Sequence, residues 1–224
     1  MTPSSWPCPL PGGGIRDEMA LTFDAGRPVR LLIVPALFDE GNRMRRFTVE
    51  VMRRLDARGI DSFLPDLPGC NESLQRLELQ DPADWLDATA AAARHYAATH
   101  ALGLRGGCLF TPARLPAIHY APVKAAAILR QMVRARILAS REAGRTESRE
   151  HLAEAALARG IVLAGYRLGA DFYRHFEAMA PAGGAKLVAQ EQVGGAGLWL
   201  RAEPDENADQ ASALAAIVAQ EIAA

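Results

Sequence analysis

Lysine is nearly missing from this chain. Of its 25 basic residues only Lys124 and Lys186 are lysines; with the alanine content, that bias reads as GC-rich coding and not as function. The 25 basic and 26 acidic residues leave a formal net charge of −1, so no basic field is present to attract nucleic acid. Cysteine is scarce and odd in number. Cys8, Cys70 and Cys108 have no paired spacing, which excludes a disulfide framework and a zinc site and fits a reducing compartment. Neither a metal nor an organic cofactor is expected. No apolar run approaches about eighteen residues, the length a membrane-spanning helix needs. The opening "MTPSSWPCPLPGGG" lacks the basic start and apolar run of a signal peptide, so a cytoplasmic location is expected.

What is present is an ordinary globular balance. Of the 224 residues 50% are hydrophobic, enough for one sizeable core. Prolines and Gly12 to Gly14 predict a loose start over the first seven or so residues. "EMALTFDAG" alternates as a strand, and "VRLLIVPAL" is an unbroken apolar run, the mark of a strand covered on both faces. Met44, Phe47, Val51, Met52 and Leu55 recur at helical spacing up to Gly59. "DSFLPDLPG" returns as a strand and completes a right-handed βαβ unit. "QDPADWLDATAAAARHYAATH" reads as a helix capped by Asp81, with Pro82 in its first turn. A helical pair follows over 121–160. "IVLAGYRLG" reads as a strand entering the helix "ADFYRHFEAMA", "AKLVAQEQV" and "AGLWLR" as strands, and "ENADQASALAAIVAQEI" as the last helix. This alternation predicts one α/β domain over residues 1–224, with a mostly parallel sheet, flanking helices and a small helical lid inserted at 124–160.

Gly103-Leu104-Arg105-Gly106-Gly107 has the spacing of the G-x-S-x-G turn that presents the nucleophile in α/β-hydrolases, with arginine where serine belongs. A guanidinium stays protonated and cannot attack a carbonyl. It can clamp a carboxylate or phosphate bidentately, or form a salt bridge to an acid such as Asp39 or Glu40. The residues alone favour the salt bridge. "VPALFDEGN" sits where such folds supply one oxyanion-hole amide, from Ala36 or Leu37, and Gly106 would supply the other. Two such amides bind a carbonyl oxygen or a small anion; the plainer reading is a strand end leading to a helix. "PDLPGCNES" is similar to the D-x-x-G-x-G-x-S turn after the fourth strand of many α/β-hydrolases, with Asn71 at the second glycine. Cys70 on that turn is a candidate nucleophile, although a lone cysteine is more often a small buried hydrophobe. Cys108 is expected in the core, three residues into the helix after the elbow.

The base is missing as well. The hydrolase order is Ser, then Asp or Glu, then His just before the last helix, and no histidine follows His175. His95 and His100 belong to the helix before the elbow, and His151 faces solvent. His119 is the one expected to approach the pocket, with a hydrogen-bonded core histidine as the alternative. Residues 124–145 carry Lys124, Arg130, Arg134, Arg136, Arg141 and Arg145 against Glu142. A lid packed on the parent domain is the first reading of this basic amphipathic stretch, and contact with an anionic membrane surface the second.

Four blocks in order resemble the second of the two α/β-hydrolase-like types associated with exosortase A systems. They are "VPALFDEGNRMRRF", "LPDLPGCNES", "GLRGG" and "LAGYRLG", spanning roughly residues 30 to 170. The resemblance implies an α/β-hydrolase-like fold and a setting beside exopolysaccharide and PEP-CTERM protein-sorting genes. It also implies that arginine at the elbow is a family trait, while saying almost nothing of the substrate. The chain departs from the family pattern after the elbow, where "GLRGGCLFTPARLPAI" leaves room for only a stub of helix, and at "YAPV". The function expected is binding of a small acyl or anion-bearing ligand through Arg105, Gly106, Ala36 and Leu37, without serine-hydrolase chemistry. The alternatives are an esterase or thioesterase using Cys70, and a scaffold docking on the inner membrane or on exosortase machinery through 124–145.

Overall fold

Leu31 to Val34 are apolar without alternation, so the strand they form needs a hydrophobic layer on each face. The computed structural model describes residues 1–224 and supplies both layers. In chain order the first half contains β1 (Thr2–Pro9), β2 (Ile15–Phe23), β3 (Arg30–Val34), α1 (Phe38–Asp56), β4 (Asp61–Pro65), α2 (Pro82–His95) and β5 (His100–Leu104). Then come β6 (Ala117–Tyr120), α3 (Ala125–Glu142), α4 (Arg149–Arg159), β7 (Ile161–Leu163), β8 (Tyr166–Leu168), α5 (Ala170–Glu177), β9 (Lys186–Val188), α6 (Gln190–Val193) and α7 (Ala208–Ala223). The main sheet has the order β1-β2-β4-β3-β5-β6-β9, parallel from β4 to β9, with β2 and β1 added antiparallel. No helix is long and apolar enough to cross a membrane.

The pleat of β3 divides the core. Leu31 and Ile33 face Met44, Phe47, Val51, Met52 and Leu55 of α1 together with Leu214 and Val218 of α7. Leu32 and Val34 face the other layer, where Trp85 of α2 meets Phe172 of α5, which stacks on Phe176. The segment 124–160 joins that second layer through Ile128, Leu129, Met132 and Val133 of α3 and Leu152 of α4. Helix α2 starts as its sequence predicts: the Asp81 carboxylate accepts from the Ala83 N–H, the Asp84 carboxylate accepts from the Asp81 N–H, and Pro82 opens the first turn. Successive parallel strands place β4 on one side of β3 and β5 on the other. Such an order reversal opens a crevice at the carboxyl ends of the strands.

Four local expectations are corrected. The first residues are not loose: β1 pairs with β2 from Thr2↔Thr22 to Pro9↔Ile15, burying Trp6 and Cys8. Its prolines are tolerated because it is an edge strand. "IVLAGYRLG" is a two-stranded hairpin, with Ala164 and Gly165 both at positive φ (48° and 84°) in the tight turn. "AKLVAQEQV" is a strand only over Lys186–Val188, then one helical turn, and "AGLWLR" holds a single 3-10 turn at Leu198–Leu200. The chain after the elbow is also a short 3-10 turn, Arg105–Leu109, so Cys108 lies buried in that turn and not in a helix.

Glu147 ties the end of α3 to the loop before α4. Its carboxylate accepts from Arg136 Nε (3.0 Å) and Nη2 (2.6 Å) and from Ser140 Oγ (2.5 Å). The Arg136 hydrogen bonds first, and the Ser140 hydroxyl second, hold its pKa down to about 2 from the usual 4.5. A depressed carboxylate contributes fully above the unfolded value and loses its contribution as pH falls through the folded one. Amide protection over 143–149, corrected for intrinsic exchange, is therefore expected to fall between about pH 4.5 and pH 2, and Glu147→Gln is expected to abolish that pH dependence.

Candidate functional site

Six non-glycine residues have positive φ, and four of them sit just past the carboxyl ends of consecutive strands of the sheet: Phe38 after β3, Asn71 after β4, Arg105 after β5 and Ala121 after β6. An L-residue in that region costs about 1–2 kcal/mol. Backbone strain gathered at one edge is a mark of functional sites, and this edge is the one where the strand order reverses.

Arg105 occupies the elbow itself, with φ 53°. Glycines are required on either side by close approach. A Cβ at Gly107 would lie 2.3 Å from the Pro35 carbonyl oxygen and 2.4 Å from that of Val34; one at Gly103 would lie 2.7 Å from Cys108 Cα. The turn is thereby pressed against the end of β3, and Arg105 is aimed across the crevice. Its Nε donates to Glu40 Oε2 (3.1 Å) and its Nη2 to Glu40 Oε1 (3.0 Å). Nη1 donates to the Ala121 carbonyl oxygen (2.9 Å), and the guanidinium stacks 4.0 Å from the centre of the Trp199 ring. Of the two acids named from the sequence, Glu40 holds this pairing, while Asp39 lies 3.9 Å from Arg43. The side chains of Arg105 and Glu40 are only 14% and 9% exposed, so water screens the pair weakly.

Ala36, Leu37 and Gly106 are all buried beside the elbow. A Cβ at Gly106 would meet Ile128 Cδ1 at 2.8 Å and Leu37 Cγ and Cδ1 at 2.9 Å. Hydrocarbon from α3 and from the loop after β3 is therefore packed closely against Gly106.

Cys70 is half-buried and lines a small cavity of about 30 Å³ with Leu37, Phe38, Arg45, Asn71 and Tyr166, room for about one water molecule. Burial first, and the nearby charges of Asp66 and Glu18 next, push its thiol up to about 12. The thiol is thus protonated near neutral pH, opposite to an activated nucleophile. Around it, Arg45 and Asn71 both donate to Asp66 Oδ1 (2.9 and 2.8 Å), and Asn42 donates to the Tyr166 hydroxyl (3.1 Å). His119 is fully buried on β6 with Nε2 2.9 Å from Thr111 Oγ1, and burial pushes its pKa down toward the neutral ring. No hydrogen bond joins His119 to Cys70, whose loop follows β4, separated from β6 by the two strands β3 and β5. No set of three or more His, Cys, Asp or Glu side chains is gathered to hold a metal ion.

Three participants were missed in the sequence. Trp199 lies in the loop before the last helix, the loop searched for a histidine, and an aromatic there gave no titratable signal. Tyr166 belongs to a block singled out for its pattern, and only the hairpin turn brings its hydroxyl to Asn42. Ala121 contributes a carbonyl, which no residue type announces.

No protein-family model matches the sequence, and no curated protein matches it. Solved structures do. Alpha/beta hydrolase domain-containing protein 10 from mouse matches with a TM-score of 0.57 at 11% identity, over 100% of this chain and 99% of that one. Est1E from Butyrivibrio proteoclasticus, solved with ferulic acid bound, gives 0.48 at 16% identity over 72% and 67%. A solved protein from Agrobacterium vitis S4 gives 0.45 at 13% identity, and this chain spans 60% of its length. At such identities the shared property is the fold. The chain has the α/β-hydrolase fold, a mostly parallel sheet with flanking helices.

Removing one member of a buried ion pair strands the other, at a cost of about 3–5 kcal/mol. Arg105→Gln is expected to lose stability on that scale in urea unfolding. The double variant Glu40→Gln/Arg105→Gln is expected to recover part of it, giving a coupling energy of about 1–3 kcal/mol.

Proposed function

We propose that this α/β-hydrolase-fold protein binds a small acyl or anionic ligand and performs no serine-hydrolase chemistry. The observation that carries the reading is Arg105. It occupies the elbow in a strained conformation that a nucleophile would need, yet its charge cannot be discharged into a bond with a carbonyl carbon. The same residue lines an open groove of about 300 Å³ with Pro122, Leu187, Ala189, Gln190 and the exposed Glu191. The apolar members suit an acyl chain; Glu40 and the Ala121 carbonyl take three of the five guanidinium N–H donors, and the other two can meet an anionic end. Gly106 follows Arg105 directly, and Ala36 and Leu37 lie buried in the loop after β3, so their amides are the further donors offered to an anionic end.

The finer assignment, to the exosortase A-associated type, is supported by the four sequence blocks and by where they fall. Leu37 and Phe38 from the first, Cys70 from the second and Tyr166 from the fourth line one cavity, and Arg105 from the third pairs with Glu40 from the first. On that assignment the protein works in the cytoplasm beside exopolysaccharide or protein-sorting machinery, peripheral to the inner membrane.

Short- and medium-chain p-nitrophenyl esters and acyl thioesters are expected to show no turnover above the uncatalysed rate. Turnover that is present in wild type and lost in Cys70→Ala would replace this reading with a cysteine-dependent hydrolase. Because Trp199 stacks on Arg105, tryptophan emission reports the groove. Titration with octanoate or octyl phosphate is expected to saturate, and Arg105→Lys, which keeps the charge and loses the planar array of donors that serves Glu40 and the ligand together, to bind about tenfold more weakly. Equal binding by wild type and Arg105→Lys removes Arg105 from the ligand site.

A further inference from the structure

Away from the elbow, arginines from four separate elements line one open cavity of about 690 Å³. Arg76 precedes the short 3-10 turn Leu77–Leu79, Arg136 lies on α3, Arg159 ends α4 and Arg167 lies on β8. The floor is apolar, with Leu152, Ile161 and Leu168 all buried. Two glycines draw these elements together. A Cβ at Gly160 would lie 2.4 Å from the Leu168 carbonyl oxygen, and one at Gly169 would lie 2.6 Å from that of Glu78. Larger residues at either position would push apart the walls that carry the arginines.

The charges around this cavity do not balance. Arg76 pairs with Glu78 and Arg136 with Glu147. Arg159 and Arg167 have no ion-pair partner, and both are exposed at the mouth. Arg136 and Val162 also line a neighbouring cavity of about 720 Å³, together with Arg145 and Glu147. Two free guanidinium forks over an apolar floor suit a dianion attached to an organic body. A phosphate group meets each fork with a pair of oxygens, whereas one carboxylate would leave a cation unneutralised.

We propose that this cavity is a binding site for a soluble phosphate ester or diphosphate, with Arg159 and Arg167 holding the phosphate and the organic part resting on the apolar floor beside Arg136. The site shares no residue with the groove beside Arg105, so it stands or falls independently of the function proposed above.

Inorganic pyrophosphate is the probe, titrated calorimetrically into the whole chain at about 0.15 M salt, where diffuse surface attraction is screened. Saturable binding at one site is expected. Arg159→Gln and Arg167→Gln are each expected to weaken it about tenfold, and Arg130→Gln, an exposed arginine of α3 outside the cavity, is expected to leave it unchanged. Circular dichroism checks that the variants fold. Absence of pyrophosphate binding overturns the proposal, and so does an equal loss in Arg130→Gln, which would mean general charge attraction. A third arm uses vesicles containing phosphatidic acid. Binding to these without binding to pyrophosphate overturns the soluble ligand in favour of a lipid surface.

Discussion

The ion pair between Arg105 and Glu40 joins parts of the chain that the sheet alone leaves independent. Glu40 comes from the first turn of α1, Arg105 from the turn after β5, the Ala121 carbonyl from the exit of β6, and Trp199 from the loop before α7. Burying two charges carries a large desolvation cost, and the attraction offsets it only when geometry is good and the remaining donors are satisfied. Here the fork is bidentate, another donor finds a carbonyl, and the flat face of the cation rests on an indole. Each partner is therefore constrained by the other, and neither can change alone.

That arrangement occupies the place where a hydrolase keeps its nucleophile free. Acyl transfer needs a group that can form a bond, a base to take its proton, and donors facing an open position for the oxyanion. At this edge the elbow side chain is already engaged, the loop before the last helix presents Trp199, and Leu37 with Ile128 packs against Gly106. What persists is the backbone frame: glycines in contact with β3, and a left-handed residue after each of four consecutive strands of the sheet. Frame and chemistry are separable properties of this fold.

The parts of this molecule that could be read in the chain are those fixed by local pattern. The unbroken run of β3 demanded two hydrophobic layers, the spacing of Met44, Phe47, Val51 and Leu55 set the buried stripe of α1, and Asp81 with Pro82 marked the start of α2. The parts that could not be read depend on partners distant in sequence. Prolines in β1 argued for disorder until Trp6 and Cys8 found their layer. Ala164 carries a left-handed turn that usually announces itself by asparagine or glycine. At the site, arginine in the place of serine was plain from spacing, and Glu40 was one of two acids in reach. Trp199 and the Ala121 carbonyl had no signature, because stacking and backbone acceptance leave no mark in residue type.

The prolines of β1 have an effect beyond the strand itself. An uncovered strand at the rim of a sheet is a template on which another chain can pair. Pro3, Pro7 and Pro9 fall at positions of the same parity along that rim, so three of the donors that an incoming strand would use do not exist. The opposite rim is β9, three residues long, which offers too short a ladder to hold a neighbour. One border of the sheet is closed by chemistry and the other by length. Neither rim of the main sheet therefore offers a neighbouring copy a ladder of the length and donor pattern that edge-to-edge pairing needs.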